Sequence, residues 1–181
     1  MKPDWTVADS TAITGFVADP YELQWLHDRA KGMRSIVEIG CWKGQSASAL
    51  AAGTDGTVYT VDTFEGSPSE WETNHMEAKL GFLYDEACAN LAPYGNVEVL
   101  KMSSLHASRL LPSVDMVWID AEHTRESCLI DLMLWYPKCT TLLCGHDVGF
   151  DGVIAALGLY GIPFQLGPGS IWYMEKRRAG T

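Results

Sequence analysis

The residues best suited to chemistry fall in three short stretches. The first is Glu38-Ile39-Gly40-Cys41-Trp42-Lys43-Gly44. Its two glycines let a backbone turn sharply and approach a ligand closely. The helix expected from about Gln45 then opens with unsatisfied N–H groups, which favour an anion such as a carboxylate. The second stretch ends in Asp62, where a carboxylate can accept hydrogen bonds from both hydroxyls of a ribose. The third pairs Asp120 and His123 with His146 and Asp147. Two carboxylates at neighbouring strand ends suit a hard divalent cation such as magnesium. An imidazole, with an ordinary pKa of about 6.5, suits proton transfer near neutrality.

The spacing of the first stretch narrows the ligand. The dinucleotide fingerprint is G-x-G-x-x-G, but here Cys41-Trp42 falls where the second glycine belongs. Trp42 would obstruct a pyrophosphate lying on that turn, so a nicotinamide enzyme is the weakest reading. The pattern E-x-G-x-x-x-G suits a nucleoside ligand without phosphates, and adenosylmethionine is one. The alternative at this point is a glycine turn and a surface aspartate that bind nothing.

The elements that must position these residues follow from composition and periodicity. Asp19-Pro20 reads as a helix start, with Pro20 at the first helical position and Asp19 as cap, and Gly32 closes that helix. Short apolar or β-branched runs predict strands over 35–39, 57–62, 96–100, 114–119 and 140–145. Helices are expected over 45–52, 76–91, 124–135 and 152–159, with a helix or turn over 103–111. Residues 64–74, with Gly66, Ser67, Pro68, Ser69 and Trp71, read as a loop. Residues 164–166 and 171–174, flanking Gly167-Pro168-Gly169, read as a hairpin. The alternation predicts an α/β, Rossmann-like, doubly wound fold. Its seven-stranded sheet is mostly parallel with an antiparallel last strand, and helices cover both faces.

Composition sets the outer limits. The 181 residues are expected to form one domain, 1–181, and 47% of them are hydrophobic, enough to fill a core. A net charge of -10 repels phosphate backbones, so nucleic acid is not an expected partner. The basic run Lys176-Arg177-Arg178 reads as a solvated tail. The odd set Cys41, Cys88, Cys128, Cys139 and Cys144 has no CxxC spacing, so buried free thiols in a reducing compartment are expected rather than zinc ligands. The N-terminal residues lack the apolar run of a signal peptide, and no apolar stretch approaches the roughly 20 residues that span a bilayer. A cytoplasmic protein without membrane contact is expected.

Several motifs then carry a resemblance. The stretch from Val37 to Ser46 resembles motif I of class I methyltransferases, most closely the small O-methyltransferase branch that includes catechol O-methyltransferase. Trp118-Ile119-Asp120-Ala121-Glu122-His123, then Asp131, Trp135, Pro137, Gly145-His146-Asp147, Gly152-Val153 and Ile171-Trp172, resemble the methyltransferase 24 family. The likeness runs from about residue 15 to residue 176. It implies that S-adenosyl-L-methionine is the methyl donor. It also implies that Glu38, Gly40 and Gly44 shape the cofactor turn, with Cys41, Trp42 and Thr63 around the same ligand. Ser46 would hold the methionine carboxylate and Asp62 the ribose. Ser103 and Ser104 match the positions that flank the adenine, although the acidic residue common there in relatives is missing between Glu98 and Asp115. The acceptor expected from the resemblance is a hydroxyl on a small molecule such as a sugar. Relatives often dimerise through N-terminal segments, so a homodimer is one of the open states.

The chemistry leaves alternatives. In-line methyl transfer needs alignment and, for a hydroxyl acceptor, removal of a proton. Asp120 and Asp147 either hold Mg2+, with His146 or a water in place of the third ligand that in metal-dependent relatives falls at Val148, or work without it. His123 occupies the place of the lysine base in catechol O-methyltransferase-like enzymes, and the base reading is preferred to one in which it only positions Asp120. Trp42 and Trp71 either line the acceptor site or pack. His146 is expected in a supporting role, and His75 and His106 in none. The competing functions are a protein that binds adenosylmethionine or its product without catalysis, and a methyltransferase acting on nitrogen or a macromolecule.

Overall fold

The computed structural model describes residues 4–14, 19–67, 78 and 81–176. The chain enters through a short helix, α1 (Val7–Thr11), and a longer one, α2 (Pro20–Ala30). Asp19 caps α2 by accepting from the Tyr21 amide, and Glu22 returns a bond to the Asp19 amide. This reciprocal box satisfies donors that a helix start leaves open. The order then runs β1 (Ser35–Ile39), α3 (Gln45–Gly53), β2 (Thr57–Asp62), α4 (Leu83–Leu91), β3 (Val97–Lys101) and α5 (Ser104–Leu110). It continues with β4 (Val114–Ile119), α6 (Arg125–Trp135), β5 (Cys139–Gly145), α7 (Asp151–Tyr160), β6 (Gln165–Leu166) and β7 (Trp172–Glu175).

The seven strands form one sheet in the order β3-β2-β1-β4-β5-β7-β6. β1 to β5 pair in parallel, and β7 runs antiparallel between β5 and β6. The expected antiparallel strand is therefore present, but two-residue β6 forms the edge outside it. Side chains alternate between two cores, as the period of two in a strand requires. Ile36, Val58, Met116, Trp118, Leu142 and Cys144 face α2, α3 and α4. Val37, Val61, Val117, Ile119 and Leu143 face α5, α6 and α7. Both faces are apolar because both are covered.

The chain winds outward from β1 to β3, then returns to β4 beside β1. This reversal opens the crevice where such sheets bind ligands, at the carboxyl ends of β1 and β4. One expectation is corrected here. The helix expected over 76–91 is interrupted: Ala78 is helical, Gly81 turns left-handed at φ 79°, and α4 follows over Leu83–Leu91. Trp71, His75, residues 76–77 and 79–80, Arg177 and Arg178 lie outside the described residues. Lys176 is not a loose tail residue, since its Nζ donates to the Tyr136 carbonyl at 2.6 Å. All five cysteines are free thiols, four of them buried. No helix among the described residues is long and apolar enough to cross a membrane.

Candidate active site

The switch point is closed by backbone rather than by side chains. Gly40 follows β1 and sits opposite Asp120, which follows β4. The Asp120 amide donates to the Ile39 carbonyl at 2.8 Å. A Cβ on Gly40 would lie 1.8 Å from the Asp120 carbonyl oxygen, and Gly40 has φ 93°. Only glycine tolerates both conditions.

Around this contact, Asp62 organises the turn. Its Oδ2 accepts from the Cys41 and Trp42 amides, each at 2.9 Å, and its Oδ1 accepts from the Phe64 amide at 2.7 Å. Trp42 (φ 50°) and Phe64 (φ 59°) are held left-handed, a strained backbone for residues with side chains. With Asp147 (φ 59°) they are the non-glycine residues of positive φ among those described, and all three follow sheet strands at this edge. Glu38 is buried beneath the turn. It accepts from Ser46 Oγ at 2.5 Å and from Thr60 Oγ1. Burial, with the nearby Asp120 and Asp62 charges, outweighs these two donors and pushes its carboxyl up to about 8. Helix α4 holds the turn from outside, where Asn90 donates to the Lys43 carbonyl at 3.0 Å and Glu86 pairs with Lys43 at 3.2 Å.

These residues fit adenosylmethionine in kind. Gly44, the cap residue of α3, has no side chain with which to cap it, and the first turn of α3 contains no acidic residue. A carboxylate placed there meets helix N–H groups and the positive end of the helix dipole. Ser46 lies in that first turn. Thr63 follows Asp62, and its hydroxyl accepts from the Glu65 amide at 3.3 Å. The two serines after β3 separate. Ser103 caps α5 and bonds His106 Nδ1 at 3.1 Å. Ser104 turns inward, donating to Asp131 Oδ1 and accepting from Trp135 Nε1 at 2.8 Å.

The other side of the edge is ionic. His123 Nε2 lies 2.7 Å from Asp147 Oδ2. The same oxygen lies 3.2 Å from His146 Nδ1, and Asp120 Oδ1 lies 3.8 Å from that nitrogen. His146 Nε2 meets Glu22 Oε1 at 3.0 Å and Ser170 Oγ at 2.9 Å. His123 stacks on Phe150 with ring centroids 4.6 Å apart. A hollow of about 20 Å³ under Asp120, His123 and His146 has room for roughly one water.

Charge shifts follow from these contacts. Burial pushes Asp120 up to about 6, with Asp147 adding to the rise and the two imidazoles opposing it. Burial works against the charged form of His146, yet its carboxylate partners Asp147, Glu22 and Asp120 lift it to about 11. Burial also opposes ionisation of Asp147, but the bonds from His123 and His146 hold it well below the usual carboxylate range. Glu22 stays below its ordinary value for the same reason, through His146 and the Ser170 amide.

The chain thus brings Asp120, His123, His146 and Asp147 together beside the glycine turn. Asp120, His146 and Asp147 offer ligand atoms within 4.8 Å of one another. Val148 has no ligand atom in its side chain, which packs against the second core, and its amide donates to the Ser170 carbonyl. Sequence reasoning missed Glu22, Ser170, Thr60 and Phe150. Glu22 was visible as the third residue of the α2 capping box, but nothing local linked it to a histidine 124 positions away.

A family model described as a methyltransferase domain, that of methyltransferase 24, matches residues 37–148. That span covers more than half of the chain and includes the glycine turn, Asp62, Asp120, His123 and Asp147. No curated protein sequence matches the chain. Among solved structures, cofactor-bound Rv0187 from MTB superposes with a TM-score of 0.65 at 19% identity, over 95% of this chain and 88% of the other. An O-methyltransferase from Bacillus cereus in complex with SAH gives 0.64 at 18%, over 93% and 87%. The O-methyltransferase TomG from Streptomyces achromogenes, involved in tomaymycin synthesis and solved with SAM, gives 0.64 at 17%, over 97% and 92%. At such identities the likeness to these structures is one of fold. The family match carries the assignment further: the chain belongs to the methyltransferase 24 family, among the class I S-adenosylmethionine-dependent methyltransferases.

Proposed function

We propose that this enzyme methylates a hydroxyl oxygen on a small molecule such as a sugar, with His123 as general base. The observation that carries this reading is the 2.7 Å contact between His123 Nε2 and Asp147 Oδ2, beside the switch point. A carboxylate at one ring nitrogen fixes the tautomer and makes Nδ1 the basic atom. Asp147 also stabilises the imidazolium that forms. Bound adenosylmethionine supplies an electrophilic methyl group on a sulfonium. Helix α3, Ser46, Asp62 and Thr63 would orient it, and the region between the glycine turn and Ser103 would receive its adenosine. The acceptor proton goes to His123 Nδ1 as the oxygen forms its bond to the methyl carbon. The carbon–sulfur bond breaks with its electrons to sulfur, and adenosylhomocysteine leaves. The net charge of -10 is consistent with a small acceptor rather than nucleic acid.

The test is incubation with methyl-labelled adenosylmethionine and a panel of hydroxylated metabolites. Label in alkali-stable ethers is expected. Label confined to amines, RNA or protein would reject the oxygen reading. A chain that binds adenosylhomocysteine but labels nothing would be a binding protein.

The cluster of Asp120, His146 and Asp147 supports a second reading, in which a divalent cation such as Mg2+ assists. The two carboxylate oxygens are ligands of the kind such an ion prefers, and His146, within 4.8 Å of them, would add a third on losing a proton. It would hold the acceptor oxygen and lower its pKa. Activity that survives exhaustive chelation, with no metal in the purified protein, rejects this reading.

A further inference from the structure

Glu22 stands outside both the glycine turn and the residues matched to the family, 37–148. It is nevertheless among the most heavily bonded side chains near the site, with the side chain only 5% exposed. Its Oε2 accepts from the Asp19 amide at 2.9 Å and completes the cap of α2. Its Oε1 accepts from the Ser170 amide at 2.8 Å and meets His146 Nε2 at 3.0 Å. The hairpin turn before β7 makes room for it. A Cβ on Gly169 would lie 2.0 Å from Glu22 Oε1. One carboxylate therefore joins the start of α2, the β6–β7 turn and the histidine that follows β5.

The contacts continue inward. His146 Nδ1 lies 3.2 Å from Asp147 Oδ2, which lies 2.7 Å from His123 Nε2. Ser170 closes the ring, because its Oγ meets His146 Nε2 at 2.9 Å and accepts from the Asp147 amide at 3.3 Å. Asp147 is held in a left-handed conformation and needs support from its surroundings to stay there. Each imidazole in this row has a carboxylate on at least one side, so the rotamer of each group depends on its neighbour.

We propose that Glu22 is a positioning residue for methyl transfer, setting His123 in place through His146 and Asp147. It touches neither acceptor nor donor. This inference rests on the reading of His123 as the base, and the two can fail separately. The competing role for Glu22 is purely architectural, as the cap of α2.

The test compares three variants, Glu22→Ala, Glu22→Gln and Asp19→Ala, in the full chain. Asp19→Ala damages the same helix cap without touching His146. Imidazole proton–nitrogen correlations are recorded by NMR on protein saturated with adenosylhomocysteine, and the His123 signals are identified by their loss in His123→Gln. Displacement of the His123 signals is expected in Glu22→Ala. A smaller displacement in the same direction is expected in Glu22→Gln, which keeps an oxygen acceptor and carries the test should the alanine variant not fold. Asp19→Ala should leave those signals in place. His123 signals unchanged in the Glu22 variants, or moved as far by Asp19→Ala, would overturn the proposal. With a methylated acceptor in hand, Glu22→Ala should lower kcat about tenfold without weakening adenosylhomocysteine binding. A His123→Ala enzyme of wild-type rate would remove the base reading and leave the NMR result standing.

Discussion

At the ends of β1 and β2 the carboxylates are answered by neutral donors, whereas at the ends of β4 and β5 they are answered by imidazoles. Asp62 takes three backbone amides, and Glu38 takes two hydroxyls. Asp147 takes two histidines, and Glu22, reaching over from α2, takes one beside two backbone amides. The first side is rigid by backbone geometry and shapes a turn for a ligand that does not change protonation. The second is a row of groups whose charges depend on one another, which suits a step that moves a proton. The contrast implies that damage to the first side appears as lost stability and donor affinity, and damage to the second as lost rate.

The sharpest break of that contrast is His123→Ala. It should lower kcat roughly 10³-fold, within the usual range for a general base, while the calorimetric affinity for adenosylhomocysteine stays at the wild-type value. A matching loss of affinity would mean that the two sides are not separable. Next comes Gly40→Ala at their junction. The added methyl meets the Asp120 carbonyl, and the backbone there is left-handed. A loss of about 3 kcal/mol in urea unfolding is expected, together with loss of adenosylhomocysteine binding.

Glu38→Gln tests the neutral side through pH. The Glu38 carboxyl titrates at about 8 when folded against 4.5 as its ordinary value. A raised carboxyl favours the fold below the unfolded pKa, and that advantage disappears as pH rises through the folded one. Wild-type stability should therefore fall relative to Glu38→Gln between pH 4.5 and 8, by roughly 2 kcal/mol or more. Parallel urea midpoints for the two proteins across that range would remove the buried-acid reading. Asp62→Asn leaves one acceptor oxygen for three amides and should cost about 1–2 kcal/mol with a weaker donor affinity. Ser46→Ala removes a single bond to Glu38. It should cost about 1 kcal/mol in urea unfolding and, because Ser46 also faces the donor, weaken adenosylhomocysteine binding.

Much of the architecture was legible from pattern alone. The runs at Ser35–Ile39, Thr57–Asp62 and Val114–Ile119 are strands with the expected bounds, because buried parallel strands need apolar residues on both faces. The start of α2 was legible because its cap is local chemistry. Composition favours one helix over 76–91, whereas a left-handed Gly81 separates helical Ala78 from α4. In the site, the glycine turn and the strand-end carboxylates were visible by type and spacing. The partner of each carboxylate was not. Asp62, read as a ribose ligand, already holds the Cys41, Trp42 and Phe64 amides, and Ser104, read as flanking the adenine, faces Asp131 and Trp135.

The residue order alone determined the family, the doubly wound sheet, and the presence of Asp120, His123, His146 and Asp147 at its carboxyl edge. Those features are local in the chain: periodicity, turn glycines and short motifs act within a few residues of themselves. The tertiary structure decided which groups share a proton or a charge. Glu22 meets His146 because α2 packs against β7, through Trp25 on Tyr173 and Arg29 on Glu175, and the turn before β7 brings Ser170 to it, joining positions 124 and 148 residues apart. Hydrogen bonds and charge pairs act over a few ångströms of space, whatever the distance along the chain, so only folding could show which carboxylate answers which imidazole.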